Sequence, residues 1–116
     1  MEVNVKINKE LMKGSTSILI LSLLDRKDMY GYQITHELKK LSKNVFELKE
    51  GTLYPMLHSL ENEKAIESYW FDADNGKRRK YYTITKAGKK LLEDKKSEWQ
   101  TYTEAVNSVI GGICFE

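Results

Sequence analysis

Four cationic side chains follow the dipeptide Asn75-Gly76 without interruption, namely Lys77, Arg78, Arg79 and Lys80. Asn-Gly is a strong signal for a tight turn, so these cations are predicted at and just beyond the tip of a hairpin. Adjacent like charges repel one another, and Asp72 and Asp74 are the only acids close to them in the sequence. A polyanion would relieve this repulsion, because lysine and arginine at a turn contact phosphates or enter a minor groove. A solvated loop is the alternative interpretation, since turn tips tolerate charge.

The net charge of the whole chain does not reveal this cluster of cations. The formal net charge is only +2, which by itself gives no argument for a nucleic-acid partner. Residues 76–90, however, contain seven lysines or arginines and no aspartate or glutamate. We interpret this segment as a local electrostatic footprint for an anionic partner, and its place directly after a predicted helix is that of a wing.

A second set of residues suited to recognition lies on that preceding helix. With residues placed about 100° apart, one face carries Gly51, Pro55, His58 and Asn62, flanked by Thr52, Tyr54 and Ser59, and the opposite face carries Leu53, Leu57 and Leu60. Small and hydrogen-bonding groups can approach base edges in a major groove, and the start of a helix favours a phosphate. A plain solvated face is the alternative interpretation.

The elements that must position these residues follow from periodicity and end signals. We predict a first helix from Lys9 through Leu24, capped by Asn8 and weakened or kinked at Gly14-Ser15, a second from Tyr30 to Ser42 and a third from Gly51 to Lys64. Pro55 is assigned to the first turn of the third helix, where its missing N–H is not needed. Val45–Leu48, between the second and third helices, is a short β-prone run.

Two strand-like segments, Ile66–Phe71 and Lys80–Thr85, enclose the basic turn, and Tyr81 and Tyr82 point to opposite faces of the second. Thr85 is predicted to cap a last helix that runs from Lys86 to about Val109 and ends at Gly111-Gly112. The predicted fold class is therefore mainly α with a β-hairpin. Residues 9–85 form a winged helix-turn-helix, preceded by an arm at 1–8 and followed by a dimerisation helix at 86–110 and a tail at 111–116.

The last helix carries a heptad pattern, in which Leu92, Trp99, Val106 and Ile113 recur every seven residues and Tyr102 and Val109 occupy the other seam position. The predicted dimer interface consists of Leu92, Trp99, Tyr102, Val106 and Val109, and contacts within the core are the alternative for Leu92, Val106 and Val109. Trp99 and Tyr102 are bulky for a tight two-stranded seam, which leaves two interpretations open. They pack against the first helix of a partner, or they form a flat aromatic wall in a dimer cavity that holds a planar apolar ligand.

Other classes of function have little support in the sequence. Cys114 is the single cysteine, and His36 and His58 lie on different predicted helices, so we expect no disulfide framework and no metal site. The absence of a glycine-rich phosphate loop and of a nucleophile elbow argues against an enzyme and against a cofactor. The apolar stretch Ile18–Leu24 is far shorter than the roughly 20 residues of a membrane span, and the start lacks the apolar core of a signal peptide. We therefore expect a cytoplasmic protein without membrane contact.

Five motifs occur in order over residues 10–110, namely Glu10-Leu11-Met12-Lys13-Gly14, Tyr30-Gly31-Tyr32-Gln33-Ile34, Glu50-Gly51-Thr52-Leu53-Tyr54-Pro55 with Leu57 and Leu60, Gly76-Lys77-Arg78-Arg79-Lys80-Tyr81-Tyr82, and Thr85-Lys86-Ala87-Gly88. Together they resemble the PadR family of bacterial transcription regulators. The single C-terminal helix is similar to that of the short subfamily, which includes multidrug-sensing repressors.

The resemblance implies a dimer that binds a two-fold symmetric operator on double-stranded DNA and usually represses transcription. With the two recognition features above, it predicts a DNA-binding set of Tyr32, Gln33, Lys49, Gly51, Thr52, Tyr54, Pro55, His58, Lys77, Arg78, Arg79 and Lys80. It also implies that Trp99 matches the aromatic residue that stacks with a flat drug in multidrug-responsive members, with Tyr102 beside it.

The predicted function is a sequence-specific DNA-binding regulator, specifically a homodimeric repressor relieved by a small planar apolar effector. Its predicted partners are DNA, a second copy of the chain and a small aromatic molecule. The alternative is a winged-helix module that binds protein and has no sequence-specific affinity for DNA. A small ligand-binding enzyme is a third class, but the sequence offers no reactive constellation for it.

Overall fold

The structure of the protein is a computed structural model that describes residues 7–111. Its elements are α1 (Lys9–Lys13), α2 (Thr16–Arg26), β1 (Met29–Tyr30), α3 (Gly31–Leu41), α4 (Glu50–Asn62), β2 (Ile66–Asp72), β3 (Arg78–Ile84) and α5 (Lys86–Ile110). This order confirms the predicted mainly α fold, a winged helix-turn-helix followed by a long helix. Within the described residues, no helix has both the length and the apolar character needed to cross a membrane. The predicted arm and tail, with Ile113 and Cys114, fall almost wholly outside them.

The first predicted helix is divided in two. α1 ends at Lys13 and α2 begins at Thr16, so the expected weak point at Gly14-Ser15 is a complete break. The hydroxyls of Ser15 and Thr16 both donate to the carbonyl of Met12, at 3.0 and 3.1 Å. A glycine beside two hydroxyls that compete for a helical acceptor is enough to stop the helix.

α2 is the central buried helix that its apolar sequence predicts. Its side chains Ile20, Leu21, Leu23 and Leu24 are buried. Around them pack Met29, Ile34, Leu38, Leu48, Leu53, Leu57, Leu60, Ala65, Ile66, Tyr82 and Leu92. The core therefore joins α2 to the inner faces of α3 and α4, to the base of the hairpin and to the first turns of α5.

Pro55 lies inside α4 and not in its first turn. The helix begins at Glu50, which makes Pro55 its sixth residue, so the predicted position in the first turn is wrong. The missing N–H leaves the carbonyl of Gly51 without its helical donor. Gly51 and Pro55 both lie on the exposed side of α4, where solvent can satisfy that carbonyl, and the helix therefore continues.

The connection between α3 and α4, residues 42–49, contains no strand, although Val45–Leu48 is rich in β-prone residues. Leu48 is buried, and the N–H of Phe46 donates to the hydroxyl of Ser42 at 2.9 Å. These contacts anchor the connection to the core without any pairing to the sheet. Lys43 and Asn44 have φ angles of 54° and 69°, in the left-handed region, and they turn the chain at the end of α3.

A short third strand joins the predicted hairpin. β1 consists of two residues and pairs antiparallel with β3, which gives the order β1-β3-β2. Within β3, Tyr82 is buried in the core and Tyr81 lies on the other face, which confirms the predicted alternation. The sheet thus has an inner face against the helices and an outer face that is open to solvent.

The hairpin turn is a three-residue loop with a glycine at its last position. The N–H of Gly76 donates to the carbonyl of Ala73 at 2.9 Å, and the N–H of Ala73 donates to the carbonyl of Lys77 at 2.8 Å. Gly76 has a φ of 82°, a conformation that a side chain would strain. This geometry fixes the direction in which the basic residues leave the turn.

The predicted caps of the first and last helices are confirmed. The Asn8 side chain accepts from the N–H of Glu10 at 2.7 Å, and the Thr85 hydroxyl accepts from the N–H of Gly88 at 2.9 Å. α5 ends at Gly111, whose φ of 72° is the left-handed conformation expected of a glycine C-cap.

Leu92 requires a correction. Its side chain is only 1% exposed and belongs to the core of its own protomer. The prediction that Leu92 contributes to a dimer interface is therefore wrong, because the side chain has no free surface to offer a partner. Next to it on α5, Gly88 lies so close to the carbonyl of Ala65 that an added Cβ would collide with the backbone. The first turns of α5 are thus part of the winged domain.

Candidate nucleic-acid interface

The two faces of α4 have opposite environments. Leu53, Leu57 and Leu60 are at most 1% exposed. The other side is on the surface and carries Gly51, Thr52, Pro55, His58, Ser59 and Asn62. The leucines hold the helix to the core, and the polar face is left free to meet a partner, as the sequence predicts.

Tyr54 has a structural role in addition to its predicted contact with DNA. Its hydroxyl lies directly against Gly31, and a Cβ at Gly31 would collide with it. The ring remains 38% exposed, so one edge faces solvent. Gly31 therefore permits the start of α3 to pack closely on α4, which fixes the angle between the two helices.

The first turn of α3 carries two of the predicted contact residues, and their environments differ. The side-chain oxygen of Gln33 accepts from the backbone N–H of Tyr30 at 3.2 Å, so this oxygen caps the helix. Tyr32 is exposed, and its ring stacks on that of His36 with centroids 6.0 Å apart. The amide nitrogen of Gln33 is left to donate to a partner, whereas Tyr32 presents its exposed ring.

The four cations of the hairpin are not equivalent. The guanidinium of Arg79 lies 4.5 Å from the centre of the Tyr30 ring and donates to the Tyr30 hydroxyl at 3.0 Å. Arg79 and Lys80 are half-buried, whereas Lys77 and Arg78 are exposed. Since residues alternate between faces along β3, Arg79 lies on the outer face of the sheet and Arg78 on the other.

Arg78 has only weak partners within the chain. Its guanidinium lies 5.2 Å from the centre of the Trp70 ring and 3.9 Å from a carboxylate oxygen of Asp72. Both members of the ion pair are largely exposed, and exposed pairs contribute little to stability. Arg78 can therefore exchange Asp72 for a phosphate at little cost.

An aromatic cluster stiffens the outer face of the hairpin. Tyr81 lies at its centre, with ring centroids 5.3 Å from Tyr30, 5.8 Å from Tyr69 and 5.6 Å from Phe71. This cluster was not predicted from the sequence, although the spacing of Tyr69 and Phe71 places both on one face of β2. The cluster holds Tyr30, and through it the guanidinium of Arg79, in place.

The base of the hairpin is tied to the turn after α2. The Tyr69 hydroxyl donates to a carboxylate oxygen of Asp28 at 2.7 Å. This hydrogen bond, with smaller effects from burial and from the carboxylate charge, raises the pKa of Tyr69 to about 12. The phenol therefore stays protonated over the ordinary pH range, and the tie between α2 and the hairpin persists. Burial likewise raises the pKa of Tyr82 in the core.

A second concave surface lies between α5 and the first two helices. Trp99 and Tyr102 are exposed, with ring centroids 6.0 Å apart. They line a depression of about 350 Å³ together with Leu11 and Ile18, and charged side chains stand around it. Beyond it, α5 presents an exposed apolar surface made of Tyr102, Ala105, Val106, Val109 and Ile110.

No arrangement suited to metal chemistry occurs in the part of the chain that the structure describes. Residues 7–111 contain no group of three or more histidine, cysteine, aspartate or glutamate residues placed to hold a metal ion. His58 lies on the exposed side of α4, and His36 stacks on Tyr32 of α3. Both histidines thus belong to the surface of the helix-turn-helix.

Three features define a winged-helix protein of the DNA-binding class. They are the close packing of α3 on α4, the exposed polar face of α4 and the cationic hairpin. The comparison with known families is consistent with this class. Residues 20–94 match the Transcriptional regulator PadR-like family, and the chain belongs to that family. The matched segment extends from α2 into α5 and includes α4 and the whole hairpin.

Related proteins agree with the assignment. The chain is 30% identical over 105 residues to the transcriptional regulator Rv3488 of Mycobacterium tuberculosis. The aligned region covers 90% of this chain and 91% of that protein. A PadR family transcription regulator from Clostridium difficile is 40% identical, with a TM-score of 0.71 over 84% of this chain and 99% of that chain. A transcriptional regulator from Clostridium thermocellum is 33% identical, with a TM-score of 0.80 over 86% of this chain and 97% of that chain. The protein is thus a DNA-binding transcriptional regulator and not an enzyme.

Proposed function

We propose that the protein is a homodimeric repressor that acts in the cytoplasm on a two-fold symmetric operator. The winged domain of residues 9–85, completed by the first turns of α5, binds the DNA, and the rest of α5 up to residue 110 holds the dimer together. The observation that carries the proposal is the environment of α4, whose leucine face is buried while its polar face is exposed. A helix anchored in this way can place small polar groups in a major groove.

Thr52 and His58 are the residues of this face best suited to discriminate between bases. A threonine offers a hydroxyl that both donates and accepts and a methyl group that can contact thymine, and a neutral imidazole offers one donor and one acceptor. Gly51 has no side chain and Pro55 has a small apolar ring, so the helix backbone can come close to the base edges. Lys49 precedes the helix and is exposed, which suits a phosphate contact.

The hairpin supplies affinity in this proposal. Lys77 and Arg78 are exposed at the turn, and their contacts with phosphates would be independent of sequence. Arg79 and Lys80 lie deeper, and the contact of Arg79 with Tyr30 supports a positioning role for it. Affinity and sequence choice are thus assigned to different elements.

The exposed apolar surface of α5 supports the dimer. Val109 is 86% exposed and Ile110 is 69% exposed. Such a surface is costly in water unless a partner covers it, and the heptad spacing of Trp99 and Val106 suits helix pairing. A second copy of the chain is the occupant that a two-fold operator requires.

The depression beside Trp99 supports a small planar effector. Its volume of about 350 Å³ suits a small ligand, and the indole offers a flat face for stacking. Because the depression is bounded by α1 and α2 on one side and α5 on the other, a ligand there would favour one arrangement of α5 relative to the winged domain. In a dimer held by α5, that arrangement sets the separation of the two α4 helices.

Footprinting tests the proposal. We expect the wild-type protein to shift DNA taken from directly upstream of its own gene. Hydroxyl-radical footprinting should show two protected segments with centres about 34–36 Å apart, one turn of the duplex. A single protected segment would contradict a dimer on a two-fold site. A complete lack of binding would favour the protein-interaction module instead.

A further inference from the structure

The exposed side of α3 carries a row of aromatic and basic side chains that extends well beyond its first turn. The row consists of Tyr32, His36, Lys39 and Lys40 on the helix and of Lys43 just beyond it, all on the surface. The spacing of these residues places them on one face of the helix. The opposite face is formed by Gly31, Ile34 and Leu38, all of which are buried. We call the exposed row the α3 stripe.

The basic end of the α3 stripe converges on one place. His36, Lys39, Lys40, Lys43 and Asn44 line a single depression of about 480 Å³. The backbone produces this convergence, because the left-handed φ angles of Lys43 and Asn44 turn the chain back toward the helix. The N–H of Asn44 then donates to the carbonyl of Lys39 at 2.8 Å, which fixes the turn beside the last turn of α3.

The cations of the α3 stripe have no carboxylate partner among the described residues. The ion pairs among the described residues all lie outside the α3 stripe. They join Arg78 with Asp72, Lys89 with Asp25, and Lys90 with Asp94. Lysines in the last turn of a helix are favoured by the helix dipole, which accounts for Lys39 and Lys40. The dipole does not account for Lys43 beyond the helix, nor for the convergence of all three lysines.

The start of α3 packs on α4. At its start, Gly31 packs directly on Tyr54, and at its end the eight-residue connection 42–49 leads into the first turn of α4. The Tyr32 end of the α3 stripe therefore lies next to α4. From Tyr32 to Lys43 the α3 stripe spans roughly 16 Å, at about 1.5 Å per helical residue. This length corresponds to several base pairs of DNA.

We propose that the α3 stripe binds the phosphate backbone of the DNA that flanks the half-site read by α4. The inference rests on the proposed DNA contact of α4 and extends it to a second, sequence-independent surface. Lysine ammonium groups bind phosphates as point charges and release condensed counterions. The Tyr32 hydroxyl and the Asn44 amide are also groups that commonly donate to phosphate oxygens. The α3 stripe therefore contributes affinity wherever the duplex extends past the half-site.

A salt titration on two duplexes tests this inference. The probes are a short duplex trimmed to the base pairs of the two half-sites whose substitution weakens binding, and a longer one that keeps the natural flanks of the upstream DNA. For K39Q/K40Q/K43Q on the long duplex, we expect affinity to fall roughly tenfold, and the slope of log K against log salt to fall by about 0.9 for each phosphate that the variant no longer neutralises. On the short duplex the variant should differ little from wild type. Thermal melting checks that the variant is folded.

The matched control is K27Q/K64Q/K96Q, which removes the same charge from elsewhere on the surface. Lys64 has a φ of 65° and so matches Lys43, Lys96 is an exposed helix residue like Lys39 and Lys40, and Lys27 is exposed directly after α2. The charge-preserving variant K39R/K40R/K43R should keep the wild-type slope. Equal losses for the stripe variant and the matched control, or no loss for either, would overturn the inference. If wild type binds neither duplex, the proposed function itself fails.

Discussion

Replacement of Arg78 and Arg79 by alanine is expected to lower the affinity for every DNA sequence by roughly ten- to a hundredfold. The slope of log K against log salt should fall by about 2, because each of the two protomers loses the phosphate contact of Arg78 and each phosphate that is no longer neutralised contributes about 0.9. Arg78 is exposed and only weakly paired with Asp72, so its charge is available to the DNA. Fluorescence anisotropy of labelled duplexes over a range of salt concentrations measures both quantities.

The single variants separate the two arginines. Arg78→Ala should account for most of the change in slope. Arg79→Ala should also loosen the hairpin, because it removes the guanidinium that packs on the Tyr30 ring and donates to the Tyr30 hydroxyl. Arg26→Ala is the matched control, since Arg26 is exposed at the end of α2. An unchanged slope in the double variant would exclude the hairpin from phosphate binding.

Trp99→Ala is expected to weaken the binding of a planar aromatic probe, such as acridine, by roughly tenfold or more in the absence of DNA. The substitution removes the stacking surface of the indole, which forms a flat wall of the depression that Leu11 and Ile18 also line. The measurement is the quenching of protein fluorescence by the probe. Trp70, the other tryptophan of the chain, remains as the reporter, and the probe should quench its emission little.

Two further variants make the result specific to Trp99. Trp99→Phe keeps an aromatic ring and should retain most of the affinity, measured from the fluorescence of the probe itself. In Trp70→Phe, Trp99 is the remaining tryptophan, and its emission should be quenched almost completely. Full quenching in Trp99→Ala would show that the probe binds elsewhere, and the proposed effector site would then be wrong.

The sequence predicted the helices and the hairpin well, because their signals are local. The apolar face of α3, the caps at Asn8 and Thr85 and the turn at Gly76 each depend on residues a few positions apart. The spacing on α3 predicts that Ile34, Leu38 and Leu41 are buried together, and the structure buries Ile34 and Leu38 but leaves Leu41 exposed at the end of the helix. Strand β1 was not predicted, because two residues are too few to show a periodic pattern. They form a strand only by pairing with β3, some fifty residues away. Pairing of this kind depends on the assembled fold.

The predicted position of Pro55 and the predicted role of Leu92 failed for a different reason, which is that one pattern fits two environments. A proline after Gly51-Thr52 suits a first turn, but it also suits the solvent side of a helix that starts earlier at Glu50. A heptad leucine packs equally well on a partner helix or on the core of its own domain, and Leu92 does the latter. Only the packing of α5 on α2 distinguishes the two alternatives.

The candidate site was predictable in outline but not in its internal contacts. The exposed face of α4 followed from helical spacing, and the cations of the hairpin followed from the turn signal. That Arg79 is held by Tyr30 and that Gln33 caps α3 depends on side chains that meet only in the fold. These contacts are what separates Lys77 and Arg78 from the two deeper cations.

The central claim is that the polar face of α4 chooses the sequence while the hairpin supplies affinity. The most direct test is the ratio of affinities for the footprinted upstream duplex and for a scrambled duplex of the same composition, measured for wild type, Thr52→Ala/His58→Ala and Arg78→Ala/Arg79→Ala. Thr101→Ala, at an exposed position on α5, serves as the control. We expect the α4 variant to lower the ratio by about tenfold or more with an unchanged salt slope, and the hairpin variant to weaken both duplexes while the ratio holds. An α4 variant with the wild-type ratio would contradict the account.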